Sequence, residues 1–194
     1  MRTAKLAFGI VAIWMFGSPS HLCAQRQAID VSRSSVKIRV FKSGMFSAFA
    51  HDHEIDAPID EGEVDSSANP SVQLHMDARK MRVLDPGISV SSRGDIQRTM
   101  EGAEVLDVEH FPEISYRSTE IVSTGPGRWE VRGNLSLHGN NQPVVVLVAL
   151  ESGHYRGSAS FKQSQFGITP IRIAGGTVKV KDELKIEFDI VPVQ

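Results

Sequence analysis

Cysteine is almost absent from this chain: 194 residues contain one, Cys23. No intrachain disulfide can form, so the fold must be held by its core alone. An excess of basic charge is also missing, with 21 Lys+Arg against 23 Asp+Glu. Nucleic-acid partners select basic faces, and this balance excludes them from the expected partners. Past the first 24 residues no long apolar run occurs, so no transmembrane span is expected there. The chain lacks a Gly-rich phosphate loop and a nucleophile elbow as well, and its carboxylates are scattered along polar faces. Nothing in the sequence marks an enzyme, and a binding protein is expected instead.

What is present begins with a leader. Arg2 and Lys5 precede an uncharged apolar run, Leu6 to Gly17, then Ser18-Pro19-Ser20 and Leu22-Cys23-Ala24 before Gln25. This is the pattern of a secretory signal peptide over residues 1–24, too short to span a membrane. Bulky Leu22 argues against lipid attachment at Cys23. The expected location is periplasmic or secreted. Cleavage removes two basic residues and no acidic ones, taking the formal charge from −2 to −4. Residues 25–194 suffice for one domain with a sizeable core and are too few for two.

Within that domain, apolar and polar residues alternate repeatedly. Val36, Ile38 and Val40 share one parity, as do Val72, Leu74 and Met76; Trp129, Val131, Leu135 and Leu137; and Leu184, Ile186, Phe188 and Ile190. Each run predicts a strand with one dry and one wet face. Asn69-Pro70, Gly125-Pro126-Gly127, Gly139-Asn140-Asn141 and Gly175-Gly176 are turn signals between strands. The pattern predicts an all-β sandwich or barrel. Val144 to Leu150 is continuously apolar, which predicts a strand covered on both faces. Ser158 to Ser164 is mostly small and polar, which leaves room on an interior face. Between Pro86 and Pro112, Ser92 with Asp95 reads as a capping box, and Ile96 and Met100 lie one turn apart. A short helix against an open end of the sheet is expected there.

The sharpest local motif is His51-Asp52-His53. On a strand, residues i and i+2 face the same way, so both imidazoles can meet one divalent metal ion. A third ligand would have to come from His75, His110, His138 or His154. The alternative is a polar strand start bonded to backbone or water. Likewise the inward apolar set fits either a packed core or a ligand cavity.

Three stretches together resemble the YceI family. They are Val105-Leu106-Asp107-Val108-Glu109-His110-Phe111-Pro112 with the following Glu113 to Ser118; Val131-Arg132-Gly133-Asn134-Leu135-Ser136-Leu137-His138-Gly139 with Gln142-Pro143-Val144; and Phe161-Lys162-Gln163-Ser164-Gln165-Phe166-Gly167-Ile168. Their order and spacing agree with the family over roughly residues 33 to 192. The resemblance implies an antiparallel lipocalin-like β-barrel of about eight strands, with one short helix near its mouth. It also implies an isoprenoid or fatty-chain ligand inside. Phe46, Phe49, Met76, Ile96, Met100, Tyr116 and Phe161 are the expected ligand contacts, with Tyr116 and Ser118 as inward polar groups. The His-x-His pair resembles that of a sub-group, and it sustains a second reading: a metal- or haem-associated envelope protein using His51 and His53. A third is a solidly packed barrel serving as an interaction surface.

Overall fold

The computed structural model describes residues 26–43, 52–173 and 178–193. The leader, the segment with Phe46, Phe49 and His51, and the Gly175-Gly176 turn lie outside these residues. Twelve strands are described: β1 (Arg26–Ala28), β2 (Ser35–Ser43), β3 (His53–Asp56), β4 (Glu61–Asp65), β5 (Ser71–Asp77), β6 (Arg82–Val83), β7 (Glu113–Gly125), β8 (Arg128–Leu137), β9 (Asn140–Glu151), β10 (His154–Lys162), β11 (Arg172–Ile173) and β12 (Val178–Ile190). One α-helix, α1 (Val90–Glu101), lies between β6 and β7. All the pairings are antiparallel, in the order β1-β4-β5-β7-β8-β9-β10-β12-β2-β3-β6, with β11 on β12.

The sheet curls round on itself. Ile29 bridges Pro192, and Val193 N–H donates to the Ala28 carbonyl at 2.8 Å, so β1 joins the chain just past β12. Twelve strands are described where about eight are expected: three of eight staves are each broken in two, which makes eleven, and β11 is a short addition on β12. β3 and β4 flank Pro58, which has no N–H to give to a ladder. Pairing resumes on both sides of this break, from Ala57 N–H to Val36 O and from Asp60 N–H to His75 O, each at 2.9 Å. β5 and β6 flank a 3-10 turn at Ala78–Lys80, capped by the Asp77 carboxylate accepting from Arg79 N–H at 2.9 Å. β1 and β2 flank an Asp30 turn whose carboxylate accepts from Ser32 N–H.

The opposite wall is regular. β8 and β9 are joined by the two residues His138 and Gly139, both at positive φ (49° and 70°). β9 and β10 are joined the same way by Ser152 and Gly153 (53° and 82°). Two consecutive positive φ values define the hairpin turn whose twist matches that of the strands it joins. A Cβ on Gly139 would also lie 2.7 Å from the Phe111 ring.

Two local expectations are corrected. The helix cap is Ser89, whose hydroxyl accepts from Ser92 N–H at 3.0 Å; Ser92 sits inside the first turn and receives the cap. The β9 run is covered on one face only, for Val145 and Leu147 are 46% and 57% exposed. Its alternation is hidden because both faces carry apolar residues.

Candidate functional site

The inward parity of the strands lines a cavity of about 620 Å³ inside the barrel. That lies within the range of ligand pockets, about 300–1,000 Å³. Val36, Ile38 and Val40 line it from β2, Val131 and Leu135 from β8, and Ile186 and Phe188 from β12. Small residues on β10 keep it open. Ala159 faces the cavity, and Gly157 lets β10 approach its neighbours: a Cβ there would lie 1.9 Å from the Leu147 carbonyl oxygen and 2.6 Å from the Phe188 ring.

Five of the seven expected ligand contacts are brought to this cavity: Met76, Ile96, Met100, Tyr116 and Phe161. Phe46 and Phe49 lie outside the described residues. Ile96 and Met100 reach the cavity from α1, which packs against β6. The Gln97 side chain fills that edge. Its Oε1 accepts from Val83 N–H and its Nε2 donates to Met81 O, both at 2.8 Å. Phe161 is braced edge-on by Phe166, with ring centroids 5.1 Å apart.

The two expected inward hydroxyls are spent elsewhere. Tyr116 lines the cavity with its ring, but its O–H donates to the Val131 carbonyl at 3.2 Å, and burial pushes its pKa up to about 12. Gly133 makes this possible, since a Cβ there would lie 2.5 Å from the Tyr116 ring. Ser118 Oγ accepts from Val72 N–H at 2.9 Å, beside a bulge in β7. Tyr116 and Ser118 thus serve the wall.

Polar groups reach the cavity at the end where β2 stops and β3 begins. His53 stands directly across from Asp85, continuing the register in which Ile55 faces Val83. Its Nδ1–H donates to Asp85 Oδ2 at 2.5 Å, and Asp85 Oδ1 accepts from Glu54 N–H at 2.8 Å. Asp85 is only 3% exposed, one of two buried polar residues among those described. Lys42 lines the same end. Burial lowers the pKa of its ammonium, against the opposing pull of Asp85 and Asp52.

None of the four candidate third histidines joins His53. His75 points outward, by its parity with Leu74 and Met76. His110 bonds Asp107, His138 donates to the Phe166 carbonyl, and His154 bonds Asp189 at the far end of the barrel. Among the described residues no group of three His, Cys, Asp or Glu is placed to hold a metal. Asp85 is the residue that sequence reasoning missed. Its only signal was an Asp-Pro-Gly turn, and its pairing with His53 spans 32 positions.

Comparison with known proteins agrees with this architecture. The profile of the YceI-like domain matches residues 27–191. A UPF0312 protein of Vibrio cholerae is 22% identical over 199 residues, covering 96% of this chain and 98% of its own. One from Azotobacter vinelandii is 31% identical over 103 residues, covering 47% of this chain and 54% of its own. Among solved structures, BcnA of Burkholderia cenocepacia superposes with a TM-score of 0.66 at 20% identity, covering 84% of this chain and 98% of that one. A polyisoprenoid binding domain from Saccharophagus degradans, implicated in plant cell wall breakdown, superposes at 0.53 with 11% identity, covering 84% and 95%. At these identities the likeness is one of fold.

Proposed function

This chain belongs to the YceI family, and from that premise we propose that it is an exported binding protein holding one elongated apolar molecule, of isoprenoid or fatty-chain type, inside its barrel. The observation that carries the reading is the cavity itself, about 620 Å³ walled by inward apolar side chains. The polyisoprenoid-binding description of the Saccharophagus domain supports the ligand class.

The physics is removal of apolar surface from water, worth about 0.8 kcal/mol per buried methylene. Ten such groups supply about 8 kcal/mol, from which the entropic cost of association is subtracted. A chain held this way needs few hydrogen bonds, and its length decides its affinity. Met76, Ile96, Met100, Tyr116 and Phe161 contact it, together with Phe46 and Phe49. The role is retention and transport, with no catalytic step.

Native mass spectrometry of protein recovered from the exported fraction, without detergent, tests this. The expected spectrum shows a chain lacking residues 1–24 and carrying several hundred daltons of organic-extractable mass. A Phe161→Asp variant that keeps its far-ultraviolet circular dichroism is expected to lose the added mass. Full retention of the ligand in that variant rejects the cavity as the binding site.

A further inference from the structure

On β2 the inward positions run Val36, Ile38, Val40 and then Lys42; on β3 they are Ile55, opposite Val83 of β6, then His53, which bonds the buried Asp85 just past β6. The apolar lining therefore ends on a polar rung. Val40 is the register partner of His53, so Lys42, two residues further along the same face, is its diagonal neighbour. Diagonal neighbours stand about 7–8 Å apart at the backbone, within reach of a lysine. Both side chains line the cavity.

We propose that Lys42 and His53, with Asp85 as the positioning residue, form a head-group site for a long-chain alcohol whose tail lies in the barrel. The proposal rests on the apolar-carrier reading and specifies what the carrier recognises. Its chemistry follows from Asp85. The Asp85 carboxylate accepts from Nδ1–H, which selects the tautomer of the neutral imidazole whose lone pair is on Nε2. Among the described residues Nε2 has no partner. A terminal hydroxyl satisfies both side chains at once, because its O–H donates to Nε2 while its oxygen accepts from the Lys42 ammonium.

An anionic head is the competing fit, and the charge balance opposes it. Asp85 is buried beside His53, Asp52 is held close by accepting from the Lys42 backbone N–H at 3.1 Å, and the charges of both carboxylates act on the one lysine ammonium. The two carboxylates that line the cavity itself, Asp65 and Asp95, are paired with Arg26 and Arg98. A carboxylate or phosphate head would meet little net positive charge. An uncharged hydroxyl gains both hydrogen bonds without that conflict.

The test titrates the delipidated protein with four probes of one chain length: farnesol, its deoxygenated hydrocarbon, farnesoic acid and farnesyl phosphate, each followed by isothermal calorimetry. Farnesol is expected to bind roughly tenfold tighter than the hydrocarbon, the gain of two modest hydrogen bonds, and tighter than either anion. In His53→Phe, and separately in Lys42→Met, that preference should shrink while hydrocarbon affinity holds. The Lys42 variant leaves the Asp85 bond intact and so guards against a folding defect. Equal affinity for farnesol and hydrocarbon would overturn the head-group site and leave the carrier standing. Tightest binding of the acid or phosphate would replace it with an anion site. Failure of all four probes overturns both readings.

Discussion

The two walls of this barrel are built differently. β7 to β10 and β12 run for 9 to 13 residues each, and tight turns join β7 to β8, β8 to β9 and β9 to β10. β1 to β6 run for 2 to 9 residues and break wherever a proline, a 3-10 turn or a loop intervenes. The long wall is specified locally, each strand by the one before it. The broken wall depends on distant partners, β2 on β12 and β1 on the residues after β12. Pairing on the long wall is interrupted only by bulges in β7 and β12, and that wall meets the cavity mainly with apolar side chains. In the other wall polar side chains satisfy backbone groups that the ladder drops, and that is where Gln97, Asp77 and Asp85 enter.

The sharpest way to break this contrast is a pair of glycine substitutions. Gly157→Ala, on the long wall, drives a Cβ into the Leu147 backbone oxygen at 1.9 Å and should cost about 3 kcal/mol or more of unfolding free energy in urea titration. Gly62→Ala, on the broken wall, meets the flexible tips of Ile29 and Leu74 at 2.7 and 2.9 Å and the Gln73 carbonyl at 2.9 Å, and should cost less. The reverse order would show that the broken wall is the stiffer.

A smaller effect should stay local. Gln97→Ala strips the partner from Val83 N–H and one of two donors from Met81 O, which keeps Arg82, a loss of about 1–2 kcal/mol. Hydrogen exchange should speed up at Val83 and stay unchanged at Val131 and Val144. Uniform acceleration across both walls would mean that α1 braces the whole barrel.

The smallest effect is confined to alkaline pH. Tyr116 titrates near 12 when folded and about 10 when unfolded, so its contribution is complete below pH 10 and lost as pH rises toward 12. The midpoint of thermal unfolding should therefore fall more steeply over that interval in the native protein than in Tyr116→Phe. Parallel curves would remove Tyr116 from the wall's alkaline response.

Legibility followed the same division. The long wall could be read almost residue by residue, because alternation, Gly139 and the Gly125-Pro126-Gly127 turn are signals spanning a few positions. Its one misreading, β9, came from apolar residues on a wet face. In the broken wall β2 and β5 were legible from the alternation of Val36, Ile38 and Val40 and of Val72, Leu74 and Met76, whereas β1, β4 and β6 carry no such run. Nothing near Pro58 says that β3 and β4 continue one stave, since that follows from what β2 and β5 do on either side. The site divided likewise. Met76, Tyr116 and Phe161 follow from period-2 parity, and Ile96 and Met100 from helical spacing. His53 stood out for its neighbour at position 51, yet its described partner is Asp85, supplied by a register that only the folded sheet defines. The Tyr116 hydroxyl was misjudged because side-chain parity says nothing about which carbonyl lies within reach.

The clasp between Ile29 and Pro192 has a consequence for the order of events in folding. Gln27 Nε2 donates to the Val193 carbonyl across 166 positions of sequence, so this seam cannot form until nearly the whole domain is available. Contacts of such long span carry a high entropic cost of loop closure and slow the rate of folding. A chain threading through a narrow passage would keep its barrel unzipped until these last residues emerged. The long wall can assemble hairpin by hairpin in the meantime, leaving an open trough rather than a sealed vessel. An apolar guest can be laid into that trough before the seam shuts around it.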